Sequence, residues 1–192
     1  MGRPREFDDA TAVEAAMDVF WSKGYEGTST QDLCEHTGLG RGSLYNAYGS
    51  KHALYEEALR RYADIGFGGQ SEILDRPGSV RERLRALMMW VVDTDLDDPS
   101  RRGCLAVNAA VDVAGRDDAV AEQVRRQFAR LEGVVADLIS VGQRSGELSA
   151  DQDPLTSARF FLGAYYGLRV LAKVVDDRKA LVDVVEGALA RL

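Results

Sequence analysis

The sequence predicts an all-α fold, an N-terminal three-helix head carrying a helix-turn-helix and a larger helical C-terminal body. Three observations carry the prediction. Apolar residues recur at three-to-four spacing in segment after segment, capping residues stand where those segments begin, and no stretch alternates at period two for long enough to make a sheet. The chain has 192 residues, 45% hydrophobic and 29% charged, which suffices for a buried core and is too apolar for disorder. There is no internal repeat and no low-complexity segment. The expected division is a head over residues 1–50 and a body over residues 51–192.

The first helix is expected from about Asp9 to Lys23, where Ala12, Val13, Ala16, Met17, Val19 and Phe20 form one apolar stripe and Gly24 offers a left-handed stop. A second helix starts at Thr28 or Ser29, with Ser29 and Asp32 spaced as a capping box and Leu33 facing inward. Thr37-Gly38-Leu39-Gly40 reads as the turn. A third helix covers Arg41 to Ala47, Gly49-Ser50 breaks it, and Ser50 caps a fourth from Lys51 to about Ile65. Gly66, Gly68 and Gly69, followed by Arg76-Pro77-Gly78-Ser79, predict a loop. Ser79 then caps a helix bearing Val80, Leu84, Leu87, Met88, Val91 and Val92, which the acidic run Asp93 to Asp98 and Pro99 ends as a solvated loop. Four acids there lack the glutamate and glycine that a calcium loop needs. Further helices are expected at about Arg102 to Ala114, Asp118 to Ser145, Asp153 to Val175 and Arg178 to Arg191.

Composition narrows the function. Residues Met1 to Glu6 lack the apolar core of a signal peptide, and the longest apolar runs, such as Leu87 to Val92, are too short to cross a bilayer. Cys34 and Cys104 make no disulfide framework, so a reducing cytoplasm is the expected location. An enzyme finds no support, because His36 and His52 have no matching acid and nucleophile. No metal-ligand spacing and no cofactor motif appears; Gly38-x-Gly40-x-Gly42 meets neither phosphate-loop spacing. The net charge of −7 runs against nucleic-acid binding, and residues 1–62 carry seven basic against ten acidic side chains. Placement offsets this. From Thr37 to Tyr55 there is no acidic residue, while Arg41 and Lys51 are present, and the local field decides.

Two short helices around a glycine-bearing turn, residues 28–51, have the layout of a helix-turn-helix, whose second helix fits a DNA major groove. With Phe20, Leu33, Leu39 and Leu44 knitting the head, Arg41, Gly42, Ser43, Tyr45, Asn46 and Tyr48 are left to point outward. Arginine takes guanine bidentately, asparagine takes adenine, serine reaches either, and glycine permits close approach. Arg41, Ser43 and Asn46 are therefore the candidate base readers. Tyr45, Tyr48, Lys51, Thr28 at a helix N-terminus, and Arg3 and Arg5 on the arm are the candidate phosphate or groove contacts.

The segments Gly24-Tyr25-Glu26-Gly27-Thr28-Ser29 and Leu44-Tyr45-Asn46-Ala47-Tyr48-Gly49-Ser50-Lys51 resemble the DNA-binding head of the TetR (tetracycline-repressor) family. Leu44, Tyr45, Tyr48, Ser50 and Lys51 match its closing motif position by position, with Tyr48 where phenylalanine is commoner. The resemblance is specific over about the first 60 residues and beyond them covers only the all-helical layout. It implies a homodimeric, ligand-responsive transcriptional regulator, usually a repressor, whose partners are double-stranded operator DNA and a small-molecule effector. It also implies that the last two helices form the dimer interface.

Phe160 to Leu168 is apolar nearly all round its helix, and the last helix is apolar on one broad face. Phe161, Gly163, Tyr165, Gly167, Leu168, Val182, Val185 and Leu189 are the interface candidates. Met88, Trp90, Cys104, Asn108, Phe128, Tyr165 and Tyr166 are the candidates for lining a mainly apolar effector pocket. Two alternatives remain beside the effector-released repressor. One is a thiol-based sensor using Cys104, which follows Arg101-Arg102-Gly103 near a helix start. The other is an all-α protein-interaction module without DNA.

Overall fold

The computed structural model describes residues 9–192. Among these residues there are nine α-helices and no strand: α1 (Asp9–Gly27), α2 (Thr30–Thr37), α3 (Arg41–Tyr48), α4 (Lys51–Leu74), α5 (Val80–Asp97), α6 (Leu105–Asp112), α7 (Asp118–Ser145), α8 (Pro154–Leu171) and α9 (Arg178–Leu189). The expected all-α fold is the observed one.

Local chemistry sets most helix ends. Ser29 accepts from the Asp32 backbone N–H while the Asp32 carboxylate accepts from the Ser29 backbone, a complete capping box. Lys23 and Ser29 together hold the Asp32 carboxyl well below the usual carboxylate range. Ser79 and Glu82 form a second box at α5, Asp117 caps α7 and Asp153 caps α8. Gly38 closes α2 in the left-handed region, at φ 70°, so a side chain there would be strained.

Two apolar clusters form the interior. The first joins Val13, Ala16, Phe20, Leu33, Leu44, Leu54, Tyr55 and Ala58 with Leu105, Ala109, Val120 and Val124, so α6 and the start of α7 share a core with the head. The second joins α5, α7, α8 and α9 through Leu84, Leu87, Val91, Val135, Phe161, Leu168 and Val185. Helix α4 belongs to both, with Leu54 to Leu59 in the first and Ile73 and Leu74 in the second. His52 on α4 also meets the Asp117 cap of α7 at 2.5 Å, which ties the helices at their N-terminal ends.

Three expectations differ from the structure. The loop expected from Gly66 onward is helix, and α4 runs to Leu74. Each helical glycine costs roughly 1 kcal/mol against alanine, but packing prevails. Gly69 packs on the Trp90 ring, and a β-carbon there would stand 3.6 Å from it, in ordinary contact. Second, Asp93 to Asp97 is the last turn of α5 rather than a solvated loop, and Asp95 is 3% exposed. Its partner is Arg169, whose Nε lies 3.1 Å from Asp95 Oδ2. Third, α6 starts at Leu105 with Cys104 as its N-cap, and α8 stops at Leu171. Among the described residues no helix is long and apolar enough to cross a membrane.

Candidate nucleic-acid interface and effector cavity

Leu44 is the hinge pin of α3: it is buried among Phe20, Leu33 and Leu54, and that fixes which edge of the short helix faces out. Arg41, Gly42, Ser43 and Asn46 are all exposed on that edge. Tyr45 is half-buried, its ring beneath the Arg41 guanidinium and its hydroxyl 2.9 Å from Thr30 Oγ1, so α2 positions it. The stretch free of acidic residues therefore coincides with an exposed polar row on one helix.

Three expected DNA contacts are also engaged within the head. Thr28 is 2% exposed, and its hydroxyl donates to the Gly24 carbonyl at 2.7 Å, because the helix cap is Ser29 and Thr28 closes the turn before it. Lys51 points back under the head, donating at 2.9 Å to the carbonyls of both Tyr25 and Thr28 over the Tyr25 ring. Its ammonium fastens the kink at Gly24, where φ is 72°. Tyr48 packs against the head core and donates to Asp9 at 2.8 Å. Arg3 and Arg5 lie outside the described residues.

Four expected pocket residues, Trp90, Cys104, Tyr165 and Tyr166, line one cavity of about 160 Å³. Met88 does not, being wholly buried in the second cluster. Asn108 is occupied by the Arg102 carbonyl and by Lys173. Phe128 stands behind the wall, its ring 4.2 Å from that of Tyr166. The sequence reasoning missed Trp21, Tyr62, Gln70 and Arg169, which also line it, together with Met17, Ile65, Gly66, Thr94, Gln127 and Leu131. Arg169 was detectable, as a lone cation in the apolar run of α8.

The cavity is aromatic with one buried charge. Tyr165 is 2% exposed, its hydroxyl accepting from Gln70 at 3.0 Å, and burial pushes that hydroxyl's pKa up. Arg169, 5% exposed, donates from Nη2 to the Gly103 carbonyl at 2.9 Å and faces Asp95 with Nε. Burial raises the Asp95 carboxyl to about 6 against the pull of Arg169. Trp21 reaches in from α1, so one wall of the cavity belongs to the head.

The expected dimer surface is corrected by phase. Phe161, Tyr165, Leu168, Val185 and Leu189 are buried within the single chain, because α8 and α9 turn these residues onto α5 and α7. Val182 is half-buried. Gly163 is exposed and Gly167 half-buried, on the opposite edge of α8 beside the exposed Phe160, Val170 and Leu171, with Val174 just beyond the helix end. That apolar stripe is unusual on a solvated helix.

A family model for bacterial regulatory proteins, tetR family, matches residues 12–58, and one for the tetracyclin repressor-like C-terminal domain matches residues 80–188. The HTH-type transcriptional regulator YezE of Bacillus subtilis (strain 168) is 35% identical over 194 residues, covering 100% of both chains. The HTH-type transcriptional repressor ComR of Escherichia coli (strain K12) is 26% identical across 90% of this chain and 82% of its own. A cysteine mutant of the TetR family regulator CifR, complexed with 26-bp double-strand operator DNA, superposes with a TM-score of 0.86, at 36% identity and 98% coverage of each chain.

Proposed function

Since the chain belongs to the tetR family of bacterial regulatory proteins, we propose that it is a repressor that binds operator DNA as a homodimer and is released by a small effector in the cavity lined by Arg169. The exposed row Arg41, Gly42, Ser43 and Asn46 on α3 is the observation that carries the DNA reading. These are the residue types that address base edges, on a helix short enough to sit in one major groove. Tyr45 and the remaining Lys51 N–H supply phosphate contacts that set register. The cytoplasm is the compartment in which such a partner is met.

A dimer is needed for two heads to reach successive major grooves, about 34 Å apart. The outward stripe of α8 from Phe160 to Val174 is the surface assigned to it, with Gly163 and Gly167 allowing a partner helix to come close. The effector works by binding one arrangement of the heads better than the other. The thiol-sensor alternative is not favoured. Cys104 is 7% exposed, in the cavity wall beside the Tyr62 hydroxyl. No feature favours an interaction module without DNA, and the family is one of regulators rather than catalysts.

The test is selection of bound duplexes from a random pool by the full-length protein, followed by titration of the selected site against salt. A palindromic site, steep salt dependence and at least a hundredfold preference over random duplex (about 3 kcal/mol) are expected. A protein that retains all duplexes equally would overturn the reading.

A further inference from the structure

We propose that the cavity selects a single-ring aromatic carboxylate, its ring held among Trp21, Tyr62, Trp90 and Tyr166 and its carboxylate paired with Arg169; this rests on the reading of that cavity as the effector site.

Size sets the first limit. A cavity of about 160 Å³ is close to the roughly 150 Å³ that accommodates benzene in an engineered apolar core. One ring with a small head fills it. The walls supply faces and edges for that ring. Trp21 and Tyr62 meet edge to face with centroids 5.0 Å apart, and Tyr165 and Tyr166 do so at 5.3 Å.

Charge sets the second limit. The Arg169 guanidinium is the cation of the lining, and its pairing is incomplete. Nε approaches Asp95 Oδ2 to 3.1 Å, yet both atoms are buried and neither makes a well-formed hydrogen bond. Nη2 is held by the Gly103 carbonyl and, at 3.4 Å, by the Tyr62 hydroxyl. A buried ion pair of poor geometry stabilises little, whereas a carboxylate that displaces the long Tyr62 contact gains charge-assisted bonds from the fork. A cationic head would meet Arg169 as a like charge. A neutral ring would leave the pairing as it is.

The neighbourhood of Asp95 can absorb the added negative charge. Arg169 on α8, Lys173 beyond its end, and Arg101 and Asp98 of the segment after α5 are the charged groups acting on that carboxyl. It already holds its proton more tightly than an exposed aspartate, and a second carboxylate nearby strengthens that hold. Binding is therefore accompanied by proton uptake. The cavity also adjoins a larger cleft of about 470 Å³ between α4 and α7, with Gln70 and Gln127 lining both and with Arg60, Arg126 and Arg130 balanced there by Glu56, Asp64 and Glu122.

The experiment is calorimetric titration of the full-length protein with benzoate, benzamide, toluene and benzylamine near neutral pH, in two buffers of different ionisation heat. Benzoate should bind about tenfold or more tighter than benzamide or toluene, with proton uptake, and benzylamine should not bind. Arg169→Met should remove the benzoate preference while toluene still binds; if that variant does not fold, the four-ligand series on the unaltered protein decides. Equal affinity for benzoate, benzamide and toluene would overturn the carboxylate assignment and leave the cavity as the effector site. Binding by none of the four, with operator binding intact, would overturn this ligand class and the effector role of the cavity, and would leave the DNA reading standing.

Discussion

Trp21 of α1 and Arg169 of α8 donate to the same acceptor, the backbone carbonyl of Gly103, at 3.1 Å and 2.9 Å. The segment bearing that carbonyl is held hard against α8. Gly103 sits at φ 66°, and a β-carbon there would stand 2.9 Å from the Arg169 carbonyl. Its neighbour Arg102 covers the Trp21 ring at 4.2 Å and reaches Asp18 at 3.2 Å. A group that draws Arg169 away from Gly103 thus loosens an atom that also holds the first helix of the head.

The replacement Trp21→Phe keeps the ring and removes the donor. Operator affinity should change little, while the loss of that affinity on adding a cavity ligand should shrink by several-fold, within the 1–3 kcal/mol typical of coupled sites. Fluorescence anisotropy with and without ligand measures both. An unchanged ratio would show that the signal reaches the head by another route.

The α3 row makes a contrast between side chains that read and a side chain that holds. Asn46→Ala should cost about 1–3 kcal/mol on the selected operator and relax preference at one base pair. Lys51→Ala should weaken every duplex alike and also lower the melting temperature, since two carbonyls lose a charged donor worth about 1.5–3 kcal/mol each. Binding to a panel of single-base variants, set beside thermal denaturation, separates the two effects.

Asp95 gives a pH dependence of defined sign. Its folded carboxyl titrates at about 6, above the 3.8 of an ordinary aspartate, so between these values the native state holds a proton that the unfolded chain has lost. Stability contributed by this group is full below the lower value and falls as pH rises toward the upper one, by an amount on the order of 2 kcal/mol. The lowered carboxyls of Asp98, Asp117 and Glu147 act in the opposite direction. The quantity to measure is therefore a difference: the urea-unfolding stability of Asp95→Asn minus that of the parent should rise as pH goes from about 4 to 6. Parallel profiles would mean that Asp95 titrates normally.

Val170→Glu places a charge in the α8 stripe without touching either core. Dimer association, followed by sedimentation, should weaken by roughly 2 kcal/mol or more if this is the interface centre. The melting profile of the monomer should hardly move, and operator binding should become weaker and strongly concentration-dependent. Unaltered sedimentation would assign the dimer to another face.

What could be read from the chain in advance was what neighbours in sequence decide. The Ser29–Asp32 box, the Gly38 stop and the Leu44 anchor of α3 are local, and each stands where expected. The distant pairings were invisible. Nothing near Asp95 announces Arg169, and nothing near Lys51 announces the carbonyls of Tyr25 and Thr28. A helix apolar on every side, such as α8, carries no phase in its composition, so Phe161 and Phe160 could not be assigned to inside and outside until α5 and α7 were in place. Gly66, Gly68 and Gly69 gave a strong loop signal that packing against Trp90 overrode.

Those glycines leave a pliant joint midway along the helix that shares its residues between the two cores. Three of four consecutive positions there have no side chain to stiffen the backbone, so bending is cheapest where the half seated in the head meets the half seated in the body. The heads of a pair could then change their separation while both interiors stay closed, as a wrist turns without disturbing hand or forearm. Alanine at all three positions, where a β-carbon meets nothing closer than the Trp90 ring at 3.6 Å, would stiffen that wrist and so lock in whichever head spacing the chain adopts on folding.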